Sequence, residues 1–351
     1  MLTTNDIQRL DPKGMYTWIK EFPDQVREAV AIGKAAKVPF NAKKFNAVVL
    51  TGLGGSAIGG DLLRSYLADE LKVPFIVNRG YALPAFVGKN TLVIVSSYSG
   101  NTEETIAAHK DAAKRKAKVL CISTGGETQK LAKKYGHPWV RIPGGLSPRA
   151  ALGISFFPLL VLLSKMGFIR SKDREIRETI SVLGDLSARY SDPTAPDNAA
   201  LTLATALKDR LPVVYSSTDH LDAVNVRWRG QINENAKQLA HGHVLPEMNH
   251  NELVGWKSVP ALLRQTHVVF LRDSGTHPRV RVREDITRQW ISTLAGGITE
   301  VPSVGRTLLA RMFSLIHTGD WVSLYLAILN GVDPEPVEPI NFLKGELAKV
   351  R

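Results

Sequence analysis

Cysteine is nearly absent. The 351-residue chain has one, Cys121, inside Lys118-Val119-Leu120-Cys121-Ile122. A single thiol cannot close an internal disulfide, so a disulfide scaffold is excluded and a reducing, cytoplasmic setting is expected. Aromatics make up 7% of the chain, and no tight Lys/Arg block is interleaved with them, so the footprint of a nucleic-acid binder is missing. From Met1 to Arg9 no apolar stretch of a secretory leader is present. The longest apolar run, Ala150 to Leu163, is too short to span a bilayer and is interrupted by Pro158. It reads as a buried connector helix, and no membrane partner is expected. What is there is ordinary for a globular protein: 44% apolar and 22% charged residues, which excludes a disordered or collagen-like chain. Lysine and arginine total 45 against 33 acidic residues, a formal charge of +12. That balance favours anionic partners without choosing among nucleic acid, membrane surface and phosphorylated metabolites. At roughly 100–150 residues per domain, the length favours two domains.

Residues 1–44 are amphipathic and helical, with breaks at Pro12, Pro23 and Pro39. Alternation then begins. Short apolar, β-branched runs at 45–50, 74–77, 91–95, 118–122 and 139–142 read as strands, separated by helical spacing such as Ile58, Leu62, Leu63, Tyr66 and Leu67. Residues 146–200 read as a helical connector with a polar stretch from Ser191 to Asp197. Strands at 212–215, 266–271 and 299–301, with helices over 221–239 and 280–294, repeat the scheme. Strands alternating with helices predict an α/β fold with parallel sheets covered on both faces. The domains expected are a first over 45–145 and a second over 201–351, joined by the connector at 146–200, with 1–44 packing on the core.

Ligands in such sheets sit outside the carboxyl ends of the strands, and two loops there are distinctive. Gly52-Leu53-Gly54-Gly55-Ser56-Ala57 lies between a strand and a helix, where glycines let backbone N–H groups approach an anion. It also fits the G-x-G-x-x-A dinucleotide pattern, with Arg79 placed to read a 2′-phosphate. The bland reading is a turn that merely ends a strand. Ser97-Tyr98-Ser99-Gly100-Asn101-Thr102 puts three hydroxyls into six residues in an equivalent position. One of them alone would be a helix cap. Three beside Gly55 and Ser56 form a cradle of neutral donors at a helix dipole, with no P-loop lysine and no Mg²⁺ ligand pattern. Such a cradle suits a small phosphomonoester better than a nucleoside triphosphate.

These two loops resemble the phosphate loops of the SIS (sugar isomerase) fold. More narrowly, the chain resembles the bifunctional phosphoglucose/phosphomannose isomerases nearly end to end. The likeness runs through Asp11–Phe22, Ser147-Pro148-Arg149, Asn233-Glu234-Asn235-Ala236-Lys237, Pro246-Glu247-Met248-Asn249-His250-Asn251-Glu252, Gly319-Asp320-Trp321 and Phe342-Leu343-Lys344. The resemblance implies two SIS-type domains, each a three-layer αβα arrangement. It implies a cofactor-independent aldose–ketose isomerase acting on hexose 6-phosphates, with no metal at its centre.

Moving one proton between C1 and C2 of a sugar phosphate needs an anchored phosphate, an opened ring, a base and a group to stabilise the enediolate. Ser56, Ser97, Ser99 and Thr102 are the candidate anchor, with Gly55 supplying a backbone donor. Glu234 is the candidate base. Asparagines flanking it in mid-helix are unusual, although most helix glutamates are structural; burial beside apolar groups would raise its pKa toward neutrality. His250 is the candidate ring opener, because imidazole gives and takes protons near pH 7. In the family that histidine comes from the neighbouring subunit, which implies a homodimer. Arg149, at the start of the apolar connector, is matched to the enediolate, against a plain reading as a helix-start ion pair. Lys344 is matched to the family's tail lysine near the ring oxygen, against a plain solvated helix lysine. A threonine near the C-terminus accompanies bifunctionality in the family; here Asp333-Pro334-Glu335-Pro336-Val337 has none.

Three rivals stand beside this reading. His241-x-His243 with Glu247 and His250 could hold zinc. Gly52-x-Gly54-x-x-Ala57 could bind NADP in an oxidoreductase. SIS domains also serve as non-catalytic sugar-phosphate sensors, usually with a helix-turn-helix arm, for which residues 1–44 show no clear pattern.

Overall fold

A computed structural model describes residues 2–350. The chain opens with α1 (Thr4–Leu10), α2 (Met15–Lys20) and α3 (Phe22–Ala35). These helices form no projecting arm, since Met15, Val26 and Ala29 are fully buried. The first sheet follows: β1 (Ala47–Thr51), α4 (Gly54–Tyr66), β2 (Phe75–Asn78), β3 (Thr91–Ser96), α5 (Glu103–Lys114), β4 (Lys118–Ser123), α6 (Gly126–Tyr135) and β5 (Trp139–Arg141). Its order is β2-β1-β3-β4-β5, with every pair parallel. The period-2 alternation of a strand divides its residues between two cores. Val48, Leu50, Leu92, Ile94, Leu120 and Ile122 face the main core. Val49, Val93, Val95, Val119 and Cys121 face a smaller cluster on the outer side.

A 3₁₀ turn at Pro148–Ala150 leads into α7 (Leu152–Lys165), α8 (Asp173–Tyr190) and α9 (Ala199–Leu207). The second sheet is built by β6 (Leu211–Ser217), α10 (Thr218–Ala236), β7 (His241–Leu245), the short turns α11 (Glu252–Gly255) and α12 (Pro260–Leu263), β8 (Thr266–Arg272), α13 (Pro278–Ile291) and β9 (Ile298–Pro302). It too is parallel, in the order β7-β6-β8-β9. The chain ends with α14 (Leu308–Leu329) and α15 (Glu338–Leu347).

The α/β architecture with two parallel sheets is as expected. The second sheet has one more strand than the sequence pattern predicts. β7 lies at the sheet edge and is only half buried along His241-Gly242-His243-Val244-Leu245, so it lacks the apolar β-branched run that marks the central strands. The helix expected over 221–239 is α10. It stops at Ala236 because Lys237 adopts the left-handed conformation, φ +55°.

One continuous core joins the two sheets. Leu50 and Ile94 from the first sheet, Val214 and Val269 from the second, Phe156 and Phe157 of α7, and Phe313 and Trp321 of α14 belong to it. α14 is long and apolar enough to cross a bilayer by length and composition, but its apolar surface is taken up inside this core, 94% buried. α4 and α10 pack against each other head to tail. At the C-terminal end of α4, Ser65 Oγ donates to Asp222 Oδ1 (2.5 Å) and Arg64 pairs with the same carboxylate. Asp222 lies in the first turns of α10. The N-terminus of α4, carrying the first glycine loop, therefore sits beside the C-terminal end of α10, carrying Glu234.

Candidate active site between the two sheets

The two loops of the first sheet are stitched together by their own hydroxyls. Ser56 Oγ accepts from the Tyr98 N–H (3.1 Å). Ser97 Oγ accepts from the Gly100 N–H (3.1 Å) and donates to Thr102 Oγ1 (3.2 Å). Ser99 Oγ accepts from the Asn101 N–H (3.2 Å) and is exposed. The backbone thus orients the oxygens of Ser56, Ser97 and Ser99, while the O–H groups of Ser56, Ser99 and Thr102 have no acceptor among the described residues. Gly100 is required for the second loop: its φ is +72°, and a Cβ there would lie 1.9 Å from Gly125 O.

Gly55 has a different reason for being glycine. A Cβ there would lie 2.5 Å from Pro148 O, so the connector backbone is seated directly on the first loop. That contact brings Arg149 to the cleft. Arg149 is buried, yet every side of its guanidinium is engaged. Nε donates to Asn235 Oδ1 (2.6 Å), and Nη2 donates to Pro334 O (2.5 Å) and Glu335 O (2.6 Å). Nη1 lies 3.6 Å from Glu234 Oε2. Burial lowers the Arg149 pKa, and the carboxylates of Glu234 and Glu335 oppose that. An unpaired cation here would be costly; this one is paired and its plane is locked by four groups from two segments.

Glu234 is not enclosed by apolar groups, as the sequence led us to expect. Its side chain is 37% exposed and faces the Arg149 cation. Next to it, Lys237 Nζ donates to Glu234 O (2.5 Å) and Pro334 O (3.1 Å). Burial, then the Arg149 charge, holds the Lys237 ammonium below the usual lysine range. Arg149 O in turn accepts from Arg227, whose guanidinium is paired in the core with Asp320 at 3.0 Å.

Glu234 and Arg149 are linked to Gly55 through the Pro148 backbone, and Ser56, Ser97, Ser99 and Thr102 belong to the two loops joined there. His250 and Lys344 do not join them within the chain. His250 is exposed on the Glu247–His250 turn that follows β7. β7 pairs with β6 so that Leu245 lies opposite Ser217, at the start of α10. Glu234 is near the other end of that 19-residue helix, which spans about 27 Å. Lys344 lies on α15, which has no buried residue, and its ammonium has no partner among the described residues; only Glu338, at the start of that helix, is near enough to Lys237 to act on its charge.

Two further contributors received no role from the sequence. Glu335 accepts from Ser147 Oγ through its carboxylate (3.0 Å) and from Arg149 through its carbonyl. Asn235 orients Arg149 and donates to Ser323 Oγ (3.0 Å). Asn235 was visible as an odd helix residue beside Glu234. Glu335 carried no signal beyond its Pro-rich segment.

The rival sites fare differently. Arg79, the candidate reader of a 2′-phosphate, is paired with Asp61. His241 Nε2 is 3.2 Å from Glu252 Oε2, and His243 Nδ1 accepts from the Val244 N–H (2.7 Å), so these two rings have other engagements.

Residues 43–140 match the SIS domain family, and residues 196–347 match the bacterial phospho-glucose isomerase C-terminal SIS domain. The chain is 47% identical over 339 residues to a bifunctional phosphoglucose/phosphomannose isomerase of Caldicellulosiruptor bescii, covering 96% of this chain and 100% of that protein. It is 35% identical over 309 residues to the protein of the same description from Aquifex aeolicus, covering 87% and 91%. In backbone, it is similar to a hypothetical protein from Thermus thermophilus, with a TM-score of 0.74 at 14% identity, over 96% of this chain and 90% of the other.

Proposed function

The chain belongs to the bifunctional phosphoglucose/phosphomannose isomerase family and is an aldose–ketose isomerase of glucose and mannose 6-phosphates; we propose that its residues divide that work as follows. The phosphate is held at the N-terminus of α4 by the hydroxyls of Ser56, Ser97, Ser99 and Thr102, where the helix dipole favours an anion. Binding energy from this remote group positions C1 and C2. Glu234 takes the proton from C2 of the open-chain aldose and returns it to C1, while the hydroxyl proton passes from O2 to O1. Arg149 Nη1, the guanidinium nitrogen turned toward Glu234, stabilises the negative charge of the enediolate. Its other nitrogens are already fixed, so little reorganisation is needed when the charge appears. Glucose and mannose 6-phosphates differ only at C2, so both pass through this one intermediate.

Ring opening falls to His250 of a second copy, because the chain's own His250 lies at the far end of α10. A homodimer is therefore part of the proposal. An exposed apolar stripe supports it: Val282, Ile286 and Trp290 recur at every fourth residue of α13. Thr287 on that helix accepts from Asn249, the neighbour of His250 (2.9 Å). Lys344, on the exposed α15, is assigned to the ring oxygen. The reading places the enzyme in the cytoplasm, with hexose phosphate as its partner and without nucleic acid or membrane.

The observation that carries the reading is the chain of contacts from Gly55 through Pro148 and Arg149 to Glu234, which links Glu234 to the first loop and so supports their working together. A coupled assay on both aldose phosphates, run with EDTA, tests it. Glu234→Gln keeps shape and loses the base, so turnover is expected to fall about 10²–10⁴-fold with both substrates. An unchanged rate would remove Glu234 from the mechanism.

A further inference from the structure

On the outer face of the first sheet, away from the Arg149–Glu234 cleft, three ligand-type side chains converge. His109 comes from α5, Cys121 from β4, and His137 from the turn between α6 and β5. His109 Nε2 is 3.0 Å from His137 Nδ1 and 3.6 Å from Cys121 Sγ, and the three donor atoms lie within 4.8 Å of one another. His109 and Cys121 are completely buried.

Protons alone do not engage all three groups at once. Nε2 of a neutral imidazole offers either one N–H or one lone pair, so it serves one of its two neighbours and leaves the other without a partner. A doubly protonated ring would be a buried cation with no carboxylate among its contacts, which is costly. A single ion at the centre takes one lone pair from each atom. With zinc–nitrogen and zinc–sulfur bonds near their usual lengths, tetrahedral donors stand about 3.3–3.6 Å apart, close to the spacing of the two pairs around Nε2. In that state His109 carries its proton on Nδ1. The Nδ1 atom has no partner, and neither does the hydroxyl of Thr105, one turn earlier on the same helix face. Each is buried and no hydrogen bond joins them, so a metal-bound His109 would need a small ring or hydroxyl adjustment to place its Nδ1–H on the threonine oxygen.

We propose that His109, Cys121 and His137 form a binding site for a thiophilic divalent ion of the zinc type, separate from catalysis. Binding replaces the Cys121 proton, which leaves to solvent, and no electron is transferred. The fourth position opens through His137, which is half buried and lines a cleft of about 660 Å³ with Lys116, Lys118 and Tyr135. The lysines at its mouth favour an anionic fourth ligand, chloride or hydroxide. The ion would clip α5 and the edge strand β5 to β4.

Cobalt(II) is the probe, because thiolate ligation adds a sulfur-to-cobalt charge-transfer band in the near ultraviolet. Cys121 is the only cysteine, so the band reports this site and is blind to the histidines near β7. Titration of the full chain is expected to saturate at one ion per chain with that band, and zinc is expected to displace it. Cys121→Ser should abolish the band, and His137→Gln, at a half-exposed position that should leave the fold intact, should weaken binding at least about tenfold. Zinc at a hundredfold excess over its dissociation constant should raise the melting temperature by roughly 5 °C in the parent chain and not in either variant. Absence of the band in the parent chain, or unchanged affinity in His137→Gln, overturns the proposal.

Discussion

A single buried side chain can set both stability and its pH dependence, and His317 shows this more plainly than the catalytic candidates. Its Nε2 accepts from Trp321 Nε1 (3.1 Å) and lies 2.8 Å from Ser187 Oγ. The proton must therefore sit on Nδ1, which is buried without a partner. Burial pushes the ring's pKa down to about 3 from 6.5. Between those values the unfolded chain binds a proton that the folded chain refuses, so stability falls as pH falls through this window. The limiting slope is about 1.4 kcal/mol per pH unit for one group. Urea denaturation at pH 7 and pH 4 is expected to show a smaller loss of stability for His317→Gln than for the parent chain; equal losses would mean that other groups carry the acid sensitivity. None of this was legible in the sequence, where His317 sits in an apolar helical run. The same holds for Arg149. Its isolation before an apolar helix marked it as needing partners, yet those partners, Asn235, Pro334, Glu335 and Glu234, all come from the second half of the chain. Local patterning reports how a residue treats water, and it does not report which distant carbonyl it will meet.

Elements are the scale at which the sequence speaks most clearly, because helix and strand leave different apolar periods. The five strands of the first sheet and three of the second follow from that period. β7 does not, since an edge strand with one solvated face and two histidines need not be apolar. How elements cross is set by small residues whose purpose the linear pattern hides. α10 and α14 cross at Gly319, where a Cβ would lie 2.6–2.8 Å from the indole of Trp228. That ring is fully buried, and its Nε1 donates to Leu315 O (2.9 Å), so it cannot swing aside. Gly319→Ala should gain helix propensity of about 1 kcal/mol but overpack the crossing by a larger amount, about 1–3 kcal/mol. A net loss of stability in urea denaturation is expected. Turnover should drop as well, because displacing α10 moves Glu234 away from Arg149. A stabilised and fully active variant would show that the crossing can relax, and the rigid placement of Glu234 would lose its support.

At the scale of the whole molecule, the cleft is made by two sheets used at opposite ends. The two serine-bearing loops proposed to hold phosphate lie at the carboxyl edge of the first sheet, whereas Glu234 lies at the end of α10 remote from the carboxyl edge of the second. The carboxyl edge of that second sheet is where His250 emerges, beside the exposed stripe of α13. Under the proposed mechanism one chain would carry half of one site at each end, and a two-fold pair would complete both, since the same patch on each copy meets the other. The arrangement can be tested without a structure of the dimer. Glu234→Gln and His250→Asn chains, each expected to be nearly inactive alone, are co-expressed. In a mixed dimer, one site receives both substitutions and the other receives neither, so an equal mixture with random pairing regains about a quarter of parental activity. If each chain used its own His250, every site in the mixture would carry one defect, and activity would stay at the level of the separate variants. Recovery thus requires that the histidine cross between chains, and its absence in a verified mixed dimer would return ring opening to a residue within the chain, with Lys237, already beside Glu234, the first cation to examine.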